Sequence, residues 1–252
     1  MQKITDNNIS LIEETHTYVL ADEPEMEFTS ATTFISYFFE AFDKIGIANN
    51  LTSTHAKYME MTAQELVKEW EDVANEGTLI HAEIEKFIKS GIDSSTKPKS
   101  KIAIEWIKKG FTDQFDVSTE VIVYSKELCI AGSIDILLYD KKNDAYRILD
   151  WKTGKKIDKE SFNNKMGHHK ATSKIMDCKL TKYSFQLSLY RYILEKHYGL
   201  NVSTLIISHI TEEKVIHYKT EYFKKEIEEM LKADRSALKK QAEESLTLEY
   251  SK

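Results

Sequence analysis

The sequence predicts an α/β fold, a mixed sheet with helices packed against it. Three observations predict it. Segments 118–125, 127–139 and 145–152 are short, apolar and β-branched, and the polar residues 140–144 separate the last two as a turn. The stretches before and after them repeat apolar residues every three or four positions, the helical period. The order of the signals is helices, a strand meander, a helix, then strands and a final helix, which implies one sheet covered by helices.

Each element has its own signal. Residues 9–20 read as a short hairpin with Glu14 and Thr15 near its turn. Thr29 and Ser30 are cap residues for a helix whose buried face would carry Phe34, Tyr37, Phe38, Phe39 and Phe42. Thr62 with Glu65 three residues on is a capping box. Gly77 is expected to open a further helix, with Leu79, Ile80, Ile84, Phe87 and Ile88 as its apolar stripe and His81 and Glu85 sharing one face. Residues 97–110 form another amphipathic helix. Residues 182–199 are a strong helix, with Phe185, Leu189, Tyr192 and Ile193 on one face and Gly199 as terminator. Segments 202–210 and 214–220 read as late strands, and the tail from Glu221 as a charged helix. Residues 1–75 are expected to be a hairpin and helical extension, and 76–252 the core, together one compact domain.

Composition narrows the function. A net charge of −6 counts against a simple nucleic-acid-binding module, which is usually basic. It is compatible with an enzyme that gathers carboxylates around metal ions. Cys129 and Cys178 are too few for a four-thiolate cluster and fit reduced thiols in an intracellular, cytoplasmic protein. No apolar run approaches membrane-spanning length, and the N-terminus carries no apolar signal region, so no membrane role is expected. Charge is also uneven. Nine lysines face three acidic residues between Lys152 and Lys182, a segment that also holds His168 and His169. It is a solvated loop or a wall that follows a phosphate backbone, through Lys155, Lys156, Lys165, Lys170 and Lys174; Lys97, Lys99 and Lys101 could extend it.

The chemistry concentrates in residues 131–152. Side chains alternate along a strand, so Asp150 and Lys152 point the same way, and Asp135 on the neighbouring strand can meet them if the register allows. Two carboxylates and an ammonium on one face make a site for a divalent metal. Taken alone, the same three residues could be an ordinary strand-end salt bridge.

The segments GTLIH, AGSIDIL, ILDWKTGK and QLSLY, in this order and spacing, resemble the PD-(D/E)XK nuclease superfamily over residues 77–192. They are most similar to its RecB-like and Cas4-like exonuclease branch, which includes phage exonucleases. The acidic residue of the D/E-x-K element is Asp150, where that branch often has Glu. The four-cysteine cluster of the Cas4 nucleases is missing, so no iron–sulfur cluster is implied. The resemblance implies a restriction-endonuclease-like core with a mainly helical N-terminal extension. It implies that Asp135 and Asp150 hold Mg²⁺ or Mn²⁺, one or two ions, with the Trp151 backbone carbonyl and His81 as further ligands and Glu85 or Glu120 as additional acids. Lys152 would orient or deprotonate the attacking water, Gln186 would hold that lysine or the nucleic-acid backbone, and Tyr190 would contact a phosphate.

The expected function is therefore a metal-dependent DNA exonuclease in phage or bacterial recombination, repair or degradation, acting with recombination or replication partners. A flap or branch endonuclease, an RNA-directed enzyme and an idle module that holds DNA ends are the alternatives.

Overall fold

The computed structural model describes residue 4 and residues 8–240. Its elements, in chain order, are β1 (Ile9–Ile12), β2 (Thr17–Leu20), β3 (Thr29–Ser30), α1 (Ala31–Ser36), α2 (Lys44–Thr54), α3 (Ala63–Ser90), α4 (Pro98–Gly110), β4 (Phe115–Ser125), β5 (Ile130–Asp140), β6 (Ala145–Lys152), α5 (Lys179–His197), β7 (Val202–Ile210), β8 (Val215–Lys219) and α6 (Lys224–Leu231). β1 and β2 form a separate antiparallel hairpin. The main sheet is mixed. β4, β5 and β6 are an antiparallel meander, β7 joins β6 in parallel through α5, and β8 closes that edge antiparallel. β3 adds two residues in parallel at the head of β5.

Helices cover both faces of the sheet. On one, Phe34, Phe38 and Phe39 from α1 and its exit turn meet Phe185, Leu189 and Ile193 of α5, with Ile227 and Met230 of α6. On the other, Ile80 and Ile84 of α3 and Ala103 and Ile107 of α4 pack on Ile136, Leu138, Leu149 and Trp151. The β-branched content of β4–β7 suits such a doubly covered sheet, because stiff branched side chains fit a pleated surface without losing much further freedom.

Several boundaries differ from expectation. Gly77 does not open a helix; α3 runs unbroken from the Thr62 capping box to Gly91, which takes the left-handed conformation at its end. Glycine is tolerated there because a Cβ would stand 2.8 Å from Thr153 Oγ1, so the residue allows the helix to approach the strand end. The aromatic helix is shorter than its pattern: α1 stops at Ser36, Phe38 and Phe39 are buried from a turn, and Phe42 is 64% exposed beside Trp70. α2 follows, capped by Asp43. β4 starts at Phe115 and β5 at Ile130, and the tail helix breaks after Leu231 and resumes at residues 235–240; residues 241–252 lie outside the described residues. α3 also passes through residues 75 and 76, and α1 shares its core with α5.

Candidate metal centre

The site forms where β5 and β6 part. Their pairing ends at Ile136 and Leu149, and the next pair in register would set Asp135 opposite Asp150. Asp135 instead turns its carboxylate into the ladder, and Oδ2 accepts the Trp151 amide at 2.7 Å. A side chain thus replaces the missing backbone acceptor and satisfies a buried donor. On the other side of β5 the register sets Glu120 against Asp135. Glu120 has φ 47°, left-handed backbone that a non-glycine residue adopts only under constraint. The side-chain alternation breaks there. Val117 and Ile136 belong to the core under α3 and α4, whereas Val121 and Ile134 belong to the core under α5. That local switch of faces frees both acids to point into the gap.

His81 on α3 closes the gap from above, with Nδ1 3.5 Å from Asp135 Oδ2 and a hydrogen bond to the Trp151 backbone. Ligand atoms of His81, Glu120 and Asp135 lie within 4.8 Å of one another. On β6 the alternation holds. Trp151 packs edge-on to Trp106 at 5.7 Å on one face, and Asp150 and Lys152 share the other. Lys152 Nζ stands 2.6 Å from Asp150 Oδ2 and 4.5 Å from the centre of the Tyr183 ring. The buried Asp150 Oδ2 has no well-aligned hydrogen bond despite that ion pair.

The electrostatics follow from this crowding. Burial and then the Asp150 carboxylate raise the Asp135 carboxyl well above the ordinary range, against Lys152 and the Trp151 amide. Burial and then Asp135 push Glu120 up to about 7, while the Ser133 hydroxyl, donating to Glu120 Oε2 at 2.8 Å, pulls the other way. Burial and then Lys152 lower His81, which keeps its imidazole neutral and a nitrogen lone pair free. Burial lowers the pKa of Lys152, but Asp150 and Asp135 outweigh it and the net shift is upward, which favours the ammonium.

α5 supplies the floor. Gln186 Nε2 donates to Tyr190 Oη at 3.1 Å, and the Tyr190 ring lies under Gly132, where a Cβ would come within 2.4 Å of Cε1. Tyr190 is 2% exposed, so it supports β5 from below and does not offer its hydroxyl to a phosphate in solvent. Glu85 pairs with Lys89 and lies near enough to raise Glu120, but it is not part of the three-residue ligand cluster.

The lysines do not line one track. Lys155 pairs with Glu69 at 3.6 Å, Lys156 with Asp158 at 2.7 Å and Lys165 with Glu40 at 2.5 Å, while Lys170 acts on Glu229 of α6. The segment doubles back through a bridge between Met166 and Met176, which sends its lysines to different sides. Lys97 pairs with Glu76; Lys99 pairs with Glu212 and donates to the Thr153 carbonyl at 2.8 Å.

Supporting residues escaped the sequence reading. His209, paired in register with Lys152, has Nε2 2.7 Å from the Gly154 carbonyl, and with Lys99 it fixes the chain as it leaves the site. Tyr18 of the hairpin is buried; burial and then Glu120 push its phenol up to about 12, and it lies against the Ser133 backbone. The sequence offers no local signal that ties Tyr18 or its hairpin to β5.

A divalent metal fits these residues. Two carboxylates, Glu120 and Asp135, converge with the His81 imidazole; Asp150 stands outside that trio with its carboxylate on Lys152, one of its buried oxygens lacks an aligned hydrogen bond, and Glu120 and Asp135 have raised pKa values, which a cation would offset. No helix among the described residues is long and apolar enough to cross a membrane.

No curated protein matches the sequence. Among solved structures, SSO0001 is 15% identical, with 88% of this chain and 75% of that chain covered at a TM-score of 0.36. A protein named "Putative exonuclease" from Eubacterium rectale is 12% identical, with 91% and 85% covered at a TM-score of 0.40. The family model of the PD-(D/E)XK nuclease superfamily matches residues 103–251, which include Asp135, Asp150, Lys152 and Gln186. With more than half of its length matched and a mixed sheet flanked by helices, the chain belongs to the PD-(D/E)XK nuclease superfamily, whose members use divalent metal ions.

Proposed function

We propose that this protein is a metal-dependent DNA exonuclease of the RecB-like type, hydrolysing phosphodiester bonds with Mg²⁺ or Mn²⁺. The observation that carries the reading is the gathering of His81, Glu120 and Asp135 at the gap between β5 and β6, with the Asp150–Lys152 ion pair close enough to act on Asp135. Asp135 and Asp150 would hold the ion, with His81 and the Trp151 carbonyl completing the set and Glu120 as an added acid; oxygen donors suit Mg²⁺, and an imidazole extends the fit to Mn²⁺. Such an ion supplies Lewis-acid polarisation of the phosphodiester and a lower pKa for the attacking water. Lys152 places fixed positive charge where negative charge grows on the phosphoryl oxygens. The Tyr183 ring faces the ammonium of that lysine, and Gln186 and Tyr190 keep β5 at the height that presents Asp135.

The test is cleavage of end-labelled single- and double-stranded linear DNA beside a closed circle, with Mg²⁺, Mn²⁺ or EDTA. Wild type should degrade the linear molecules only with metal, spare the circle, and lose about 100-fold or more of its rate in Lys152→Ala. Cut circles would make the protein an endonuclease. Degradation of RNA strands of the same sequence, with DNA left whole, would move the substrate class. Full activity in Lys152→Ala would remove the proposed site.

A further inference from the structure

A groove of about 750 Å³ opens beside the α5 start, lined by residues 156–162 and by Asp177, Cys178, Lys179 and Lys182. It adjoins the metal centre through α5. Lys182 precedes Tyr183, whose ring carries the Lys152 ammonium at 4.5 Å. Three features of this groove have no role in the fold. Phe162 presents its ring to solvent, 80% exposed, in a protein whose other phenylalanines are mostly packed. Water contact with a phenyl ring is unfavourable, so an aromatic held on a groove wall is a surface suited to another flat apolar group. Second, four lysines, Lys156, Lys159, Lys179 and Lys182, line the groove against three carboxylates, Asp158, Glu160 and Asp177. Lys156 and Lys179 share the single carboxylate of Asp158, at 2.7 and 3.7 Å. Lys159 lies over the Tyr218 ring at 5.0 Å and has no carboxylate partner among the described residues, whereas Lys182 is paired with Asp177 at 2.6 Å. An ammonium has three donors, so one shared acid leaves most of this capacity for an anion. Third, the buried Ser161 Oγ beside Phe162 has no hydrogen-bond partner.

An exposed ring next to surplus ammonium groups matches one unit of a single strand, a flat base joined to a phosphate. A duplex offers no free base face, because its bases are already stacked and paired. We infer that this groove is a subsite for one unpaired nucleotide of the substrate strand, its base stacked on Phe162 and its phosphate held by Lys156, Lys159 and Lys179. The subsite rests on the nuclease reading for the identity of its strand and adds to it a preference for single-stranded ends.

The experiment is fluorescence anisotropy of the full chain in EDTA, so that nothing is cut, with labelled oligothymidylate and a blunt duplex of equal length. Phe162→Ala should weaken binding of the single strand roughly 5- to 100-fold and change duplex binding less than about twofold. Phe162→Trp, which keeps a stacking face, should bind like wild type. Because Phe162 is exposed, the thermal transition should be the same in all three proteins. Single-strand affinity in Phe162→Ala within about twofold of wild type would overturn the subsite. So would equal losses for strand and duplex, or a wild type that does not bind the single strand. Cleavage with Mg²⁺ is scored separately. A wild type that binds through Phe162 and never cuts would refute the nuclease reading and leave the subsite standing. A wild type that cuts, with binding indifferent to Phe162, would do the reverse.

Discussion

Asp135 has two duties, and a pair of substitutions separates them. Its carboxylate belongs to the metal cluster, and its Oδ2 is also the acceptor for the buried Trp151 amide at 2.7 Å. Asp135→Asn removes the charge but keeps a side-chain oxygen for that amide. Asp135→Ala removes both and leaves the amide without a partner where β5 and β6 have parted. A buried donor left unsatisfied costs about 1–3 kcal/mol. At this chain length each kcal/mol moves the thermal midpoint by about 2–4 °C, so Ala should melt roughly 2–12 °C below Asn. Asn should melt at or above wild type, because it also relieves the repulsion from Asp150 that raises the Asp135 carboxyl. Both variants should be inactive in cleavage. The assay is thermal unfolding in EDTA, followed by circular dichroism. Melting of Ala and Asn within about one degree of each other would refute the claim that Asp135 substitutes for a missing ladder bond.

Other expectations follow from the same contacts. Gly132→Ala puts a methyl 2.4 Å from Cε1 of the fully packed Tyr190, and overpacking of this kind costs about 1–3 kcal/mol; a denaturant midpoint equal to wild type would show that α5 can yield. His209→Ala should free the Gly154 carbonyl, destabilise by about 1 kcal/mol and slow cleavage more than it weakens metal binding, as calorimetric titration with Mn²⁺ would check. Glu83 joins α3 to the uncapped start of α4, accepting from the Thr96 amide at 2.9 Å and the Lys97 amide at 3.2 Å. Burial pulls its pKa up, but the Thr96 hydroxyl and these amides, with the nearby Ser100 side chain, bring it down to about 2. A lowered carboxylate stabilises the fold above its unfolded value and loses that contribution as pH falls, here from about 4.5 toward 2. Wild type should therefore melt above Glu83→Gln at pH 7, with the gap narrowing at pH 3; a constant gap would contradict the assignment. Lys165→Gln with Lys170→Gln should leave the salt dependence of single-strand binding unchanged, since they face Glu40 and Glu229, while Lys156→Gln with Lys179→Gln should lower its slope by about 1.4.

How much was legible in the sequence depends on the range of the interactions involved. The hairpin turn at residues 140–144, the Thr62 capping box and the shared face of Asp150 and Lys152 are set by neighbours within a few residues, and each stands in the structure as the residues imply. The resemblance of four short segments to a nuclease superfamily added the long-range grouping of His81, Asp135, Asp150 and Gln186, which no local rule supplies. Helix boundaries failed where tertiary contact overrode local preference. Gly77 looked like a helix start and instead lies inside α3, where its missing side chain admits Thr153.

What only the tertiary structure decided is the use made of charge. A lysine between two carboxylates could have been a base or a cation, and the approach of Asp150 and Asp135, which outweighs burial, favours the ammonium. A run of nine lysines reads as one basic wall, yet the Met166–Met176 bridge folds it so that Glu69, Glu40 and α6 each take a share. Glu120 and Asp135 were each visible as strand acids, but their convergence depends on the left-handed turn of one strand and the parting of the next. Local structure follows from dihedral preference and periodicity, which the chain carries in every short window. Electrostatic roles depend on which groups from distant segments meet, and at what separation, because charge interactions fall off with distance and strengthen as water is excluded.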